Sequence, residues 1–111
     1  MPSERRNDEF RAIERDLAAI AAGEVDPYDA GMRVLSASIP RTAEGASWHA
    51  LWLLWGGLTD IVDGPANDRV RGDALMVAAA SEWLEIPNSD DARRDYFDRW
   101  LYDVLGYSRD S

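Results

Sequence analysis

Cysteine is absent from this chain, and histidine occurs once, at His49. Without thiols there is neither a disulfide framework nor a thiolate metal site. A single imidazole cannot complete the usual zinc ligand sets. A Glu-x-x-His pair for a di-iron bundle is also missing. The acidic stretch Asp63-Gly64-Pro65-Ala66-Asn67-Asp68 fails the calcium-loop pattern, because Pro65 takes the third position and glycine is missing from the sixth. Gly56-Gly57 is isolated inside a helical stretch and forms no phosphate-binding motif. No serine lies in a nucleophile elbow. No metal and no cofactor are therefore expected, and enzymatic chemistry has no recognisable nucleophile to work with.

Two further shortages concern partners. Bases are outnumbered, 12 against 21 acids, for a formal charge of −9. Phosphate backbones need a basic patch, so nucleic acid is excluded as a natural partner. Long apolar runs are also lacking: the longest, Ala50 to Leu58, includes two glycines, whereas a membrane span needs about 20 apolar residues. The opening residues Ser3 to Glu9 are polar and no apolar h-region follows, so no leader is expected. A cytoplasmic protein is the expectation that follows.

What is present is a tryptophan-rich helical pattern. At 111 residues with 46% hydrophobic content, the chain suits one domain with its own core, residues 1–111, with loose ends at 1–6 and 107–111. Five helices and no strand are predicted. The first runs from about Asn7, as its cap, to Ala22, with Phe10, Ile13, Leu17, Ile20 and Ala21 as its apolar stripe and Gly23 at its C′ position. The second starts at Asp26-Pro27, a cap followed by proline at N1. It places Tyr28, Met32, Leu35 and Ile39 on one face and stops before Pro40. The short turn between these two predicts an antiparallel hairpin. Pro40 to Ala46 is predicted as a loop.

The third helix, Ser47 to Asp63, carries Trp48, Trp52 and Trp55 at i, i+4 and i+7. With Leu51, Leu58 and Val62 they predict a buried central helix, ended by Gly64-Pro65. The fourth, Asn67 to Glu85, puts Val70, Met76, Val77, Ala80, Trp83 and Leu84 on its core face, and Ala78-Ala79-Ala80 permits a close neighbour. The fifth runs from Ser89 or Asp90 to Gly106, with Tyr96, Phe97, Trp100, Leu101, Val104 and Leu105 facing inward. The fold expected is all-α, one compact domain of about five helices packed around the tryptophan-rich third.

Three constellations bear on function. The tryptophans are predicted as core, or alternatively as an aromatic pocket or partner hot spot. Asp73 breaks the apolar face of the fourth helix, with Arg69 four residues earlier. Either the two form an ion pair, joined by Arg33 or Arg41, or Asp73 and Trp83 belong to a pocket holding a functional carboxylate. On the fifth helix Asp91, Asp95, Asp98 and Tyr102 stand at i, i+4, i+7 and i+11, opposite the core face, with Arg94 and Arg99 flanking. That stripe is either a solvated surface or an acidic docking face with Tyr102 as its aromatic anchor.

In size, acidity and helicity the chain resembles small acidic helical bacterial proteins, including the colicin-type nuclease immunity proteins. The resemblance implies a non-enzymatic helical bundle that docks a basic protein through an acidic surface. It departs from them in having five helices rather than four, and no functional residue carries over. The reading is an acidic protein-binding module of immunity or antitoxin type. Its alternatives are a small-ligand or catalytic helical domain with a tryptophan-lined pocket, or a homodimeric structural protein.

Overall fold

In the computed structural model, which describes residues 2–65, 67–87 and 89–107, the chain is all-α, without a strand among the described residues. Its helices are α1 (Pro2–Ala21), α2 (Pro27–Ser38), α3 (Ala46–Asp63), α4 (Arg69–Glu85) and α5 (Asp90–Asp98). A 3₁₀ segment, Ile39–Glu44, leads into α3, and a π-helical segment, Arg99–Val104, continues α5. The Cα radius of gyration is 13.3 Å, close to the roughly 13 Å of a compact 100-residue domain.

Capping explains most of the boundaries. Asp26 accepts from the Asp29 amide at 3.1 Å, with Pro27 behind it at the start of α2. Asp68 accepts from the Arg71 amide at 3.1 Å and begins α4 there, two residues later than Asn67 predicted. Ser89 does the same for α5 through the Ala92 amide. Each satisfies a donor that the first helical turn leaves orphaned. Gly23, at φ +73°, closes α1 by donating to the Ile20 carbonyl, with Glu24 donating to that of Ala19. These crossed bonds require a left-handed residue, which glycine adopts freely. α1 begins at Pro2 and not at Asn7; proline suits a first helical position.

The predicted loop at Pro40 to Ala46 is mostly the 3₁₀ segment. The fixed φ of Pro40 at its start is compatible with helical geometry, and Thr42 hydroxyl donates back to the Ile39 carbonyl.

α3 lies at the centre, with Trp48, Leu51, Leu54, Trp55, Leu58 and Val62 buried, packed against α2, α4 and α5 and touching α1 through Trp48 and Phe10. Four of the five tryptophans are core residues. Trp52 is the correction: it is 39% exposed, because α3 has an outer face that no element covers there, and Leu54 takes the inward position. α2 is also rotated from its predicted face. Ala30, Gly31, Val34 and Ser38 are buried, Tyr28, Met32 and Leu35 are half-buried, and Ile39 is exposed. Small residues win that face because they let backbones approach: a Cβ on Gly31 would stand 3.0 Å from Met76 Sδ and 3.3 Å from Trp55 Cε3. On α4 the same logic buries Gly72, Met76, Ala79, Ala80 and Trp83, leaving Val70 and Leu84 exposed against expectation.

The other end of the core is built of rings. Phe10 lies 5.2 Å from Trp48 and 5.2 Å, edge-on, from Trp83. Trp83 in turn meets Tyr96 at 5.6 Å and Phe97 at 5.7 Å. This chain of rings ties α1, α3, α4 and α5 together, each pair adding about 0.5–1.5 kcal/mol beyond its burial.

Candidate functional site

The carboxyl-terminal element departs most from regular geometry. The sequence predicts one helix to Gly106, but α-helical bonding stops at Asp98 and the Leu105 amide donates to the Trp100 carbonyl, five residues back. The wider turn lets Trp100 and Leu101 both enter the core while residues 105–107 return to α3. Tyr107 hydroxyl then donates to the Leu53 carbonyl, and Leu105 and Tyr107 rest on Gly57, where a Cβ would stand 2.9 Å from Leu105 Cδ1. Gly57 thus permits the close packing of Leu105 and Tyr107 on α3. Single π turns of this kind recur at functional sites.

Between this element and the start of α3 lies a cleft of about 610 Å³. Its floor is apolar: Phe10, Trp48, Phe97, Leu53 and Leu101. Its walls carry Ser47 and His49 from α3, and Asp90, Arg93, Arg94, Asp98 and Tyr102 from the opposite side. α3 begins at Gly45 without a side-chain cap. His49 is exposed, its ring 5.5 Å from that of Trp52.

The arginines of this face are disposed very unequally. Arg93 is buried, its side chain 5% exposed; it donates to Asp90 at 2.7 Å and lies 5.4 Å over the Phe10 ring. Arg99 turns to α4 and pairs with Glu82. Arg94 is exposed and sits 3.7 Å from Asp91, itself 90% exposed. Asp95 is exposed and Asp98 half-buried, and neither has an ion-pair partner among the described residues. With two of three arginines withdrawn, the outer surface of α5 is left acidic.

The predicted stripe is therefore divided. Asp98 and Tyr102 border the cleft, whereas Asp91 and Asp95 face solvent outside it. Trp48 lines the cleft, as the pocket alternative for the tryptophans allows, whereas the sequence reading gives His49 and Arg93 no place in a site. Arg93 left a trace: it stands at i, i+3, i+4 and i+7 with Tyr96, Phe97 and Trp100, on the apolar stripe itself. The approach of the α3 start to α5 has no local signature.

Asp73 and Trp83 are not brought together. Asp73 is four residues from Arg69 and accepts from its Nε at 3.2 Å, with the guanidinium also paired to Asp26. Both side chains are partly exposed, 51% for Arg69 and 32% for Asp73. Asp26, rather than Arg33 or Arg41, completes the group: Arg33 pairs with Asp16 at 3.2 Å and Arg41 lies 4.8 Å over the Trp48 ring. Hydrogen bonds to Asp73 and Asp26 raise the Arg69 pKa. Beside it, Tyr28 hydroxyl donates to Asp63 at 2.7 Å, which pushes the phenol above its ordinary value. The cluster clasps the starts of α2 and α4 to the end of α3. Trp83, at the far end of α4, donates its indole N–H to Glu14 at 2.9 Å. It lines a smaller cleft of about 220 Å³ with Glu14, Leu84 and Pro87, and Asp73 borders neither cleft.

Among the described residues, no group of three or more histidine or acidic side chains is placed to hold a metal ion, and no helix is long and apolar enough to cross a membrane. Comparison of the chain with protein families, curated proteins and solved structures finds no match, so a functional reading has to come from the chemistry of these surfaces.

Proposed function

We propose that this protein is a non-enzymatic binding module, of the immunity or antitoxin kind, that docks a basic partner protein on the outer face of α5 and its π-helical continuation. The observation that carries the reading is that Arg93 is buried and Arg99 pairs with Glu82 of α4, while Asp91 and Asp95 point to solvent and Asp98 borders an aromatic-floored cleft. Helices more often place opposite charges at neighbouring positions, because like charges at i, i+4 cost stability. Here Asp91 and Asp95 stand at that spacing, and among the described residues Arg94 alone pairs with either, 3.7 Å from Asp91.

Such a surface raises the encounter rate with a basic partner and supplies specificity more than raw affinity. Tyr102, half-buried at the cleft, supplies an amphipathic anchor of the type that concentrates binding energy. The chain's charge of −9 extends the attraction beyond the contact itself.

The test is retention of a basic protein on immobilised chain at low salt, its release as salt rises, and loss of retention in an Asp91→Asn/Asp95→Asn/Asp98→Asn variant that melts like the parent. Retention that ignores both salt and the three substitutions would overturn the proposal.

A further inference from the structure

We infer that the cleft between the start of α3 and α5 receives an aromatic side chain from a basic segment of the partner, an inference that rests on the acidic docking face proposed above. The cleft has two chemically distinct parts. Its floor is made of Phe10, Trp48 and Phe97, buried rings that leave an apolar surface for an aromatic guest to rest on. Arg93, buried against the floor, is already engaged, donating at 2.7 Å to Asp90 on the exposed rim. A polar guest would have to compete with that bond, whereas an apolar one leaves it intact.

The wall toward α5 is different. Asp98 borders the cleft beside Arg94, which sits 3.7 Å from Asp91, and Asp95 lies one turn back along the same helix; neither Asp95 nor Asp98 is held by an ion pair among the described residues. A ring inserted in the cleft therefore carries its sequence neighbours past two carboxylates. Charge complementarity at the rim then asks for arginine or lysine beside the ring. The volume of about 610 Å³ admits a large side chain with part of its backbone, and lies within the roughly 300–1,000 Å³ of ordinary binding pockets. The recognised element is thus a ring flanked by cations: the floor selects the ring and the α5 wall selects the charge.

The experiment uses two fluorescently labelled peptides, Gly-Arg-Lys-Phe-Lys-Arg-Gly and the same peptide with alanine in place of phenylalanine. Binding is read by anisotropy at low and high salt, on the parent protein, on Ala46→Trp and on Asp95→Asn/Asp98→Asn. Ala46 is exposed on the cleft rim, so a tryptophan there fills the cleft without entering the core. The phenylalanine peptide is expected to bind the parent about tenfold more tightly than its twin. Ala46→Trp removes that preference while leaving the twin's binding unchanged, and the double asparagine variant weakens both peptides. On the parent, the indole N–H resonance of Trp48 shifts with the phenylalanine peptide and stays put with its twin.

Equal, salt-sensitive binding of both peptides would overturn the aromatic anchor and leave the acidic docking face standing. No binding of either peptide would remove both readings. A phenylalanine preference that survives in Ala46→Trp would put the anchor elsewhere. A dimer of the parent that Ala46→Trp separates would seat a second copy in the cleft, and would likewise overturn the inference.

Discussion

The two ends of the core are packed by opposite means. Where α2, α3 and α4 meet, Gly31 packs on Trp55, Thr59 and Met76, and Gly72 packs on Ile61 and Val62 so closely that an added methyl would stand 2.6 Å from Val62 Cγ2. Where α1, α3, α4 and α5 meet, the contact residues are Phe10, Trp48, Trp83, Tyr96, Phe97 and Trp100. Both clefts border the aromatic end, and Phe10 and Arg93 line both. Small residues interdigitate to the density of a crystal. The two clefts open beside these rings and not beside Gly31 or Gly72. The tight seam makes a scaffold and the ring-packed end makes a surface with relief.

The contrast breaks most visibly at Trp83, which joins three other rings and holds Glu14. Trp83→Ala removes those contacts, opens the smaller cleft into the core and strands a half-buried carboxylate. A loss of about 3–5 kcal/mol is expected, as for other large-to-small core changes, read from the urea midpoint at constant m value. A loss below about 1 kcal/mol would mean that the aromatic end is loosely packed and contributes little to folding.

The seam is tested by making one substitution at two glycines. A Cβ on Gly72 would stand 2.6 Å from Val62 Cγ2, whereas on Gly56 the nearest atom outside its own helix is Leu35 Cδ1 at 3.8 Å. Both glycines are in helices, where alanine is intrinsically better by about 1 kcal/mol. At Gly56 that preference acts alone, so Gly56→Ala raises stability by roughly 0.5–1 kcal/mol. At Gly72 overpacking of about 1–3 kcal/mol opposes it, and Gly72→Ala lowers stability. Opposite signs in thermal melts support the closed seam, and a gain at both sites would contradict it.

How far the sequence reveals these two ends differs. Large rings at helical spacing declare themselves, which is why Trp48, Trp55, Trp83 and Trp100 were placed in the core correctly. Small residues carry no hydropathy signal strong enough to compete, so Ala30, Gly31 and Gly72 were overlooked and α2 was turned toward Tyr28, Met32 and Leu35. Trp52 and Val70 fit an apolar stripe but lie outside the packed area, because a stripe gives direction and not the width of the neighbour that covers it. The acid positions on α5 were legible from spacing alone. The cleft was not, since it arises from a π-helical turn and from the approach of residues 45–50 to residues 90–102, neither of which leaves a local pattern.

Tyr96 offers a gentler probe of the aromatic end. Its hydroxyl is buried and donates to the Ala79 carbonyl at 2.7 Å, and burial raises its pKa well above the ordinary value. The folded state thus favours the neutral phenol, whereas an unfolded tyrosine ionises near pH 10. That preference is fully present below about pH 10 and is lost as pH rises further, with a slope of up to about 1.4 kcal/mol per pH unit. Tyr96→Phe is expected to lower stability near neutrality by about 0.5–1.5 kcal/mol and to flatten the decline between about pH 10 and 11. An identical alkaline decline in both proteins would show that Tyr96 ionises as freely folded as unfolded.

The smallest effect on stability is expected on the outer face of α5, where its sign matters more than its size. Were Asp95 and Asp98 ordinary surface residues in a balanced charge pattern, replacing them with asparagine would change little or cost a few tenths of a kcal/mol in lost pairing. Here no ion pair among the described residues holds either of them, Asp91 lies one turn before Asp95, and two of the nearby arginines are committed elsewhere. Asp95→Asn/Asp98→Asn therefore relieves repulsion and raises stability by a few tenths of a kcal/mol, an increase that fades as salt screens the charges. A folded protein that becomes more stable when its carboxylates are removed is holding them against its own folding free energy. A stabilised variant that also fails to retain a basic partner would tie that small sacrifice to binding. A destabilised one would mean that the two aspartates serve the fold, and the acidic face would then be only the solvated side of a helix.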